Sequence, residues 1–126
     1  RAIAAAGERG DMPAGLDWER LAEEVGDLGK RDSRECMSRV RQILIHLWKL
    51  GATQREEPKG HWESEIVAQR ADLSRVLTPS LRRLVGAELE ALHVEAVGLA
   101  TRSFKSEEPT APPLDVSLRW TLEQVL

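Results

Sequence analysis

The chain has 126 residues, 41% hydrophobic and 31% charged, with 18 basic residues set against 21 acidic ones for a formal charge of -3. That size and balance suit one folded domain, exclude a disordered chain on composition, and leave no overall positive charge to draw the protein to nucleic acid or anionic lipid. Cys36 is the only cysteine; it excludes an internal disulfide framework or a Cys-rich zinc site and fits a reducing, cytoplasmic setting.

In chain order, Arg1-Ala2-Ile3-Ala4-Ala5-Ala6 lacks an initiator Met and runs into Gly7-Glu8-Arg9-Gly10, which reads as a trimmed chain rather than a secretory signal. We expect one helical domain over 1–126, with 1–15 as a loosely attached N-terminal segment. From Trp18, apolar residues at Leu21, Ala22, Val25 and Leu28 recur at helical spacing behind an Asp17 cap, and Leu16 with Leu21 forms a hydrophobic staple. Gly26 and Gly29 weaken the end of that helix.

A second pattern, Cys36, Met37, Val40, Ile43, Leu44, Leu47 and Leu50, predicts the central core helix with Gly51 as its stop. The stretch Ile43 to Leu50 is the longest apolar one, but His46 and Lys49 interrupt it. It falls well short of the ~18–20 apolar residues a membrane span needs, so no membrane role is expected. Residues 52–60 are polar, contain Pro58 and have no apolar period, so they read as a loop.

Trp62, Ile66, Leu73, Val76 and Leu77 mark the next helix, and Thr78-Pro79 supplies the N-cap and first-turn proline of another. That helix carries Leu81, Leu84, Val85, Leu89, Leu92, Ala96 and Leu99 and ends near Arg102. The segment Glu107 to Pro113 is then extended or irregular and wraps the fold rather than packing into it. A capping box from Thr121 to Gln124 opens a short terminal helix. Together these predict an all-α protein, a mostly antiparallel bundle of about four main helices plus short terminal pieces.

Glu90-Ala91-Leu92-His93 has the Glu-x-x-His spacing by which bundle proteins hold two metal ions. Neither His46 nor His61 has a glutamate three residues earlier, and Glu90 lies nearly opposite the apolar stripe, so the motif reads as solvent-facing. His61 sits beside Glu63 and Glu65, ordinary partners of a helix N-terminus, and Cys36 reads as a small buried hydrophobe. No metal or cofactor is expected.

Polar residues in apolar stripes are more informative. Gln69 falls within the stripe of Trp62, Ile66, Leu73 and Val76 with Arg70 at its edge, Glu88 falls between Val85 and Leu92, and Glu24 and His46 flank their own stripes. Glu24, His46, Gln69 and Arg70 form the candidate polar cluster, read either as a small-molecule pocket or as a structural network that fixes register. Lys30, Arg31, Arg34, Arg39 and Arg41 form a basic group, but Asp27, Asp32 and Glu35 interleave it, which argues against nucleic acid. Trp18, Trp48, Trp62 and Trp120 lie on helix faces as core or interface anchors.

The run from Leu16 to Val25, then His46-Leu47-Trp48-Lys49, Trp62 with Ile66, Gln69 and Arg70, Thr78-Pro79-Ser80-Leu81 and the closing Trp120 to Leu126 together resemble the bacterial family catalogued as domain of unknown function twenty-nine. The resemblance spans about residues 16–126 and implies a compact helical fold, without a catalytic residue to carry over. Two departures stand out: residues 1–10 lack the family's aromatic, acidic opening, which suggests a missing or divergent N-terminus, and Leu118-Arg119 replaces the family's usual Cys-Pro.

The leading expectation is a non-enzymatic helical interaction or assembly module, self-associating or binding a protein partner through an apolar helix face. The alternative is a small-molecule-binding protein or enzyme with a polar pocket around Glu24, His46, Gln69 and Arg70. The sequence carries no catalytic signature that decides between them.

Overall fold

The computed structural model describes residues 18–126, with side chains from residue 29 onward. The described residues are all helix and loop: α1 (Trp18–Ala52), α2 (Glu57–Val76), α3 (Pro79–Glu107) and the one-turn α4 (Leu122–Val125). The Asp17 cap and the Leu16 staple lie outside the described residues. Two compact units divide the chain, Arg1–Arg34 and Glu35–Leu126.

The two helical patterns expected before and after Gly29 are carried by one helix of 35 residues. A glycine in a helix interior costs only about 1 kcal/mol relative to alanine, and without a proline nearby that does not end a helix. The Ser33 hydroxyl also donates back to the Gly29 carbonyl at 3.0 Å.

Within Glu35–Leu126, side-chain pairings set the helix directions. Arg39 meets Gln69 and Asp72, while Lys49 lies over Trp62, so α1 and α2 run antiparallel. Arg41 pairs with Glu95 and Lys49 reaches Ser103, so α3 returns parallel to α1 in an up-down-up arrangement. Loops this short allow little else.

Residues 52–60 are not all loop, because α2 begins at Glu57. Pro58 stands in the first turn, where its missing N–H removes no helical hydrogen bond. The expected cap of α3 is present: the Thr78 side chain accepts from the Leu81 N–H at 3.1 Å, with Pro79 at the helix start. That helix continues to Glu107, adding Ala100 and Phe104 to its buried face.

The core joins Val40, Ile43, Leu44 and Trp48 of α1 to Ile66 and Leu73 of α2 and to Val85, Leu92 and Ala96 of α3. Each large apolar side chain among them contributes roughly 1.5–3 kcal/mol when fully buried. After α3 the chain packs more than its composition suggested: Glu108 and Leu114 are buried, and Ala111 and Trp120 pack against the core. We call residues 108–121 the strap. It leads to α4, whose capping box forms as expected between Thr121 and Gln124.

Candidate functional site: a histidine–tryptophan clasp beneath the strap

His93 is the most buried ionisable side chain described apart from Cys36, with 1% of its surface exposed. It lies on the inner arc of α3 because Val85, Leu89 and Ala96 are within about two turns of it on the same side. Its Nδ1 donates to the Leu89 carbonyl at 2.8 Å. A carbonyl can only accept, so the proton of the neutral ring is on Nδ1 and the lone pair is on Nε2. Nε2 accepts the backbone N–H of Trp120 at 3.0 Å.

Three rings meet there. Trp120 stacks on His93 with planes 11° apart and centroids 6.1 Å apart. The Trp48 ring meets both edge-on, at 5.7 Å from His93 and 4.8 Å from Trp120. Its indole Nε1 donates to the Asp115 carbonyl at 2.9 Å, satisfying the one polar atom of a buried tryptophan. The clasp therefore ties α1, α3 and the strap together.

Beside it, Arg119 reaches across to α3 with a two-pronged pair to Glu90, at 2.9 Å and 3.1 Å, and donates to the Val116 carbonyl at 2.8 Å. The hydrogen bond from Arg119, assisted by its charge, holds the Glu90 carboxyl below its ordinary range, and the same pair raises Arg119. Asp115 is lowered by the Ser117 hydroxyl and backbone N–H, both of which donate to its carboxylate. These groups stay charged at neutral pH and brace the strap from outside.

A second polar group closes one end of the bundle. The Lys49 ammonium, its side chain 7% exposed, lies 2.9 Å from Glu107 and donates to the Ser103 hydroxyl at 2.7 Å. It also stands 5.4 Å from the centre of the Trp62 ring, in reach of a cation–π contact. The Thr53 hydroxyl donates to Glu108 at 2.5 Å and accepts the Arg55 N–H at 3.2 Å. Each member is paired, so this group reads as an internal brace.

The four residues of the expected polar cluster are carried by α1 and α2. Glu24 is on α1, but its side chain lies outside the described residues. Gln69 accepts from Arg39 at 3.0 Å, and Arg39 also pairs with Asp72 and Glu35. Arg70 points elsewhere, donating to the Val125 and Gln124 carbonyls at 3.0 Å and 2.7 Å and so holding the end of α4. His46, half-buried, donates from Nδ1 to the Gln42 carbonyl at 2.7 Å. No hydrogen bond among the described residues joins His46, Gln69 and Arg70 to one another.

Glu88, expected within a stripe, is exposed. Of the Glu-x-x-His pair, Glu90 is exposed as expected whereas His93 is buried. No group of three or more His, Cys, Asp or Glu among the described residues could hold a metal ion. Sequence reasoning passed over His93, Lys49 and Glu108. The signal for His93 was its position four residues after Leu89 and three before Ala96, which matters once Ala100 and Phe104 extend the stripe.

In this arrangement both nitrogens of His93 are committed to backbone partners, leaving no lone pair for proton abstraction or metal binding. What the clasp does is hold the strap on α3. No helix among the described residues is long and apolar enough to cross a membrane. Comparison with curated proteins and with solved structures yields no match. The family described as "Domain of unknown function DUF29" matches residues 9–126, nearly the whole chain, and the protein belongs to that family.

Proposed function

We propose that the chain is a non-enzymatic helical assembly module that pairs with a second copy of itself through the face shared by α3 and the strap. The observation that carries this reading is the exposure of Val94 (57%), Val116 (57%) and Leu118 (41%) around the Glu90–Arg119 pair. Glu90 and Val94 are one helical turn apart, and Arg119 links Glu90 to the strap residue Val116.

Large apolar side chains gathered on one face mark an association surface more often than scattered ones do. The charges favour a copy of the same chain as the occupant. A two-fold interface sets one patch against itself, and a patch that carries a cation and an anion side by side is its own complement. Arg119 of one copy can then exchange its partner for Glu90 of the other.

Light scattering coupled to size exclusion tests this directly. A dimer that Val116→Asp together with Leu118→Asp converts to a monomer supports it. A wild-type monomer at high micromolar concentration sinks it.

A small-molecule pocket beside His46 is the second reading, favoured by one observation. Donation from Nδ1 to Gln42 places the lone pair on Nε2, which has no hydrogen-bond partner among the described residues. A thermal-shift screen should then find a compound that stabilises the wild type and not His46→Leu; a screen with no such difference counts against the pocket.

A further inference from the structure

We propose that His93 is an acid-sensitive latch: a second proton on its ring removes the acceptor that holds Trp120 and frees the segment from Asp115 to Trp120 from α3. The consequence for assembly rests on the reading above, since Val116 and Leu118 belong to that segment. The latch itself is a property of the single chain.

Donors and acceptors at His93 match in one protonation state only. Nδ1 is bound to a carbonyl and Nε2 to a backbone N–H, so the neutral ring satisfies both partners and the protonated ring cannot. A proton on Nε2 would face the Trp120 N–H, donor against donor, across 3.0 Å. The ring is 1% exposed and flanked by Trp48 and Trp120, which leaves no room for water to take up the new N–H. The closed clasp therefore has no place for the new donor, and its hold on the strap is lost once the ring is protonated.

The charged neighbours do not relieve this. On α3, the Glu90 carboxylate interacts with His93, but both its oxygens are already taken by Arg119. On the strap, Arg119 opposes a second cation, while the Asp115 carboxylate is occupied by Ser117. On α1, Lys49 follows Trp48, but its ammonium is held between Ser103 and Glu107.

An imidazolium thus gains solvation only when the strap lifts. Leu114 before the segment and Val125 after it are buried in the core, so the opening is local and the helices stay in place.

The test is backbone amide exchange with ring nitrogen chemical shifts on the full chain, from pH ~7.5 to ~4.5, and a His93 ring that stays neutral throughout overturns the latch. As the His93 ring takes its second proton, protection of the Trp120 N–H, corrected for the intrinsic rate at each pH, should fall about tenfold or more while Val40 and Val85 stay protected. His93→Gln, which offers an amide oxygen without titrating, should show no such step. Trp120 protected through protonation of His93, loss of protection across the whole core at the same pH, or the same step in His93→Gln would each overturn the latch. If that variant does not fold, the wild-type comparison of Trp120 with Val40 and Val85 decides alone. Light scattering on the same samples separates the two ideas: a monomer with the step keeps the latch and sinks the pairing, and a dimer without it does the reverse.

Discussion

The backbone N–H of Trp120 ends on Nε2 of His93, 3.0 Å away, while their rings stack with planes 11° apart. One side chain thus supplies both the polar and the apolar attachment of the strap. His93→Leu keeps the packing and removes the acceptor, and should cost about 1–3 kcal/mol, the penalty of an orphaned N–H. Trp48→Ala removes the shared wall and the Asp115 bond and should cost about 3–5 kcal/mol. Urea unfolding of both variants gives the order; His93→Leu as costly as Trp48→Ala would mean that the wall of Trp48 stabilises the clasp no more than the single hydrogen bond to Trp120.

The brace around Lys49 separates charge from volume. Lys49→Met keeps an unbranched side chain at this place and removes the ammonium that stands over Trp62, leaving Glu107, 44% exposed, to water. Stability should change by less than about 1 kcal/mol. Thr53→Val instead strips the donor from Glu108, which is 7% exposed, and the acceptor from the Arg55 N–H. It should cost about 1–3 kcal/mol. Thermal unfolding of the pair checks the contrast.

Two glycines in α3 offer stabilising changes. A Cβ at Gly98 meets nothing within 4 Å, and one at Gly86 meets Leu122 Cδ2 at 3.5 Å, an ordinary contact. Gly98→Ala and Gly86→Ala should each raise stability by about 0.5–1 kcal/mol. A lower midpoint in Gly86→Ala would show that α4 sits closer to α3 than this contact implies.

Glu90 and Asp115 are both lowered from their ordinary values of 4.5 and 3.8, chiefly by hydrogen bonds from Arg119 and Ser117. A carboxyl with a depressed folded value stabilises above its unfolded value and loses that contribution as pH falls through the folded one. The acid limb of stability should therefore lie below those ordinary values for these two groups, and Glu90→Gln should flatten part of it while leaving the shape of the profile near neutrality unchanged. Stability measured against pH on wild type and variant reads this out, and identical acid limbs would contradict the assignment.

The helices were legible because their stripes are regular: Val40, Ile43, Ile66, Leu73, Val85 and Leu92 sit where the 3.6-residue period puts them, and all are buried. The caps at Thr78 and Thr121 were legible for a related reason, as local chemistry written within four residues. Glycine and proline misled where context outweighed them, at Gly29 inside α1 and Pro58 in the first turn of α2.

The site was harder to read because its meaning lies in long-range partners. Gln69 was expected to need a partner, but nothing around it in the chain says that Arg39, 30 residues away, provides it. Arg70 was placed in the polar cluster with Gln69 and instead holds two backbone carbonyls 54 and 55 residues later. His93 was read beside Glu90 as a surface pair, because stopping α3 near Arg102 left out Phe104 and so misplaced the centre of the buried face.

The central claim is that the α3–strap face is an assembly surface, and light scattering with size exclusion on wild type and on Val116→Asp/Leu118→Asp tests it most directly. The account predicts a wild-type dimer and a folded monomeric variant with unchanged helical circular dichroism. A wild-type monomer, or a variant that remains fully dimeric, would contradict it.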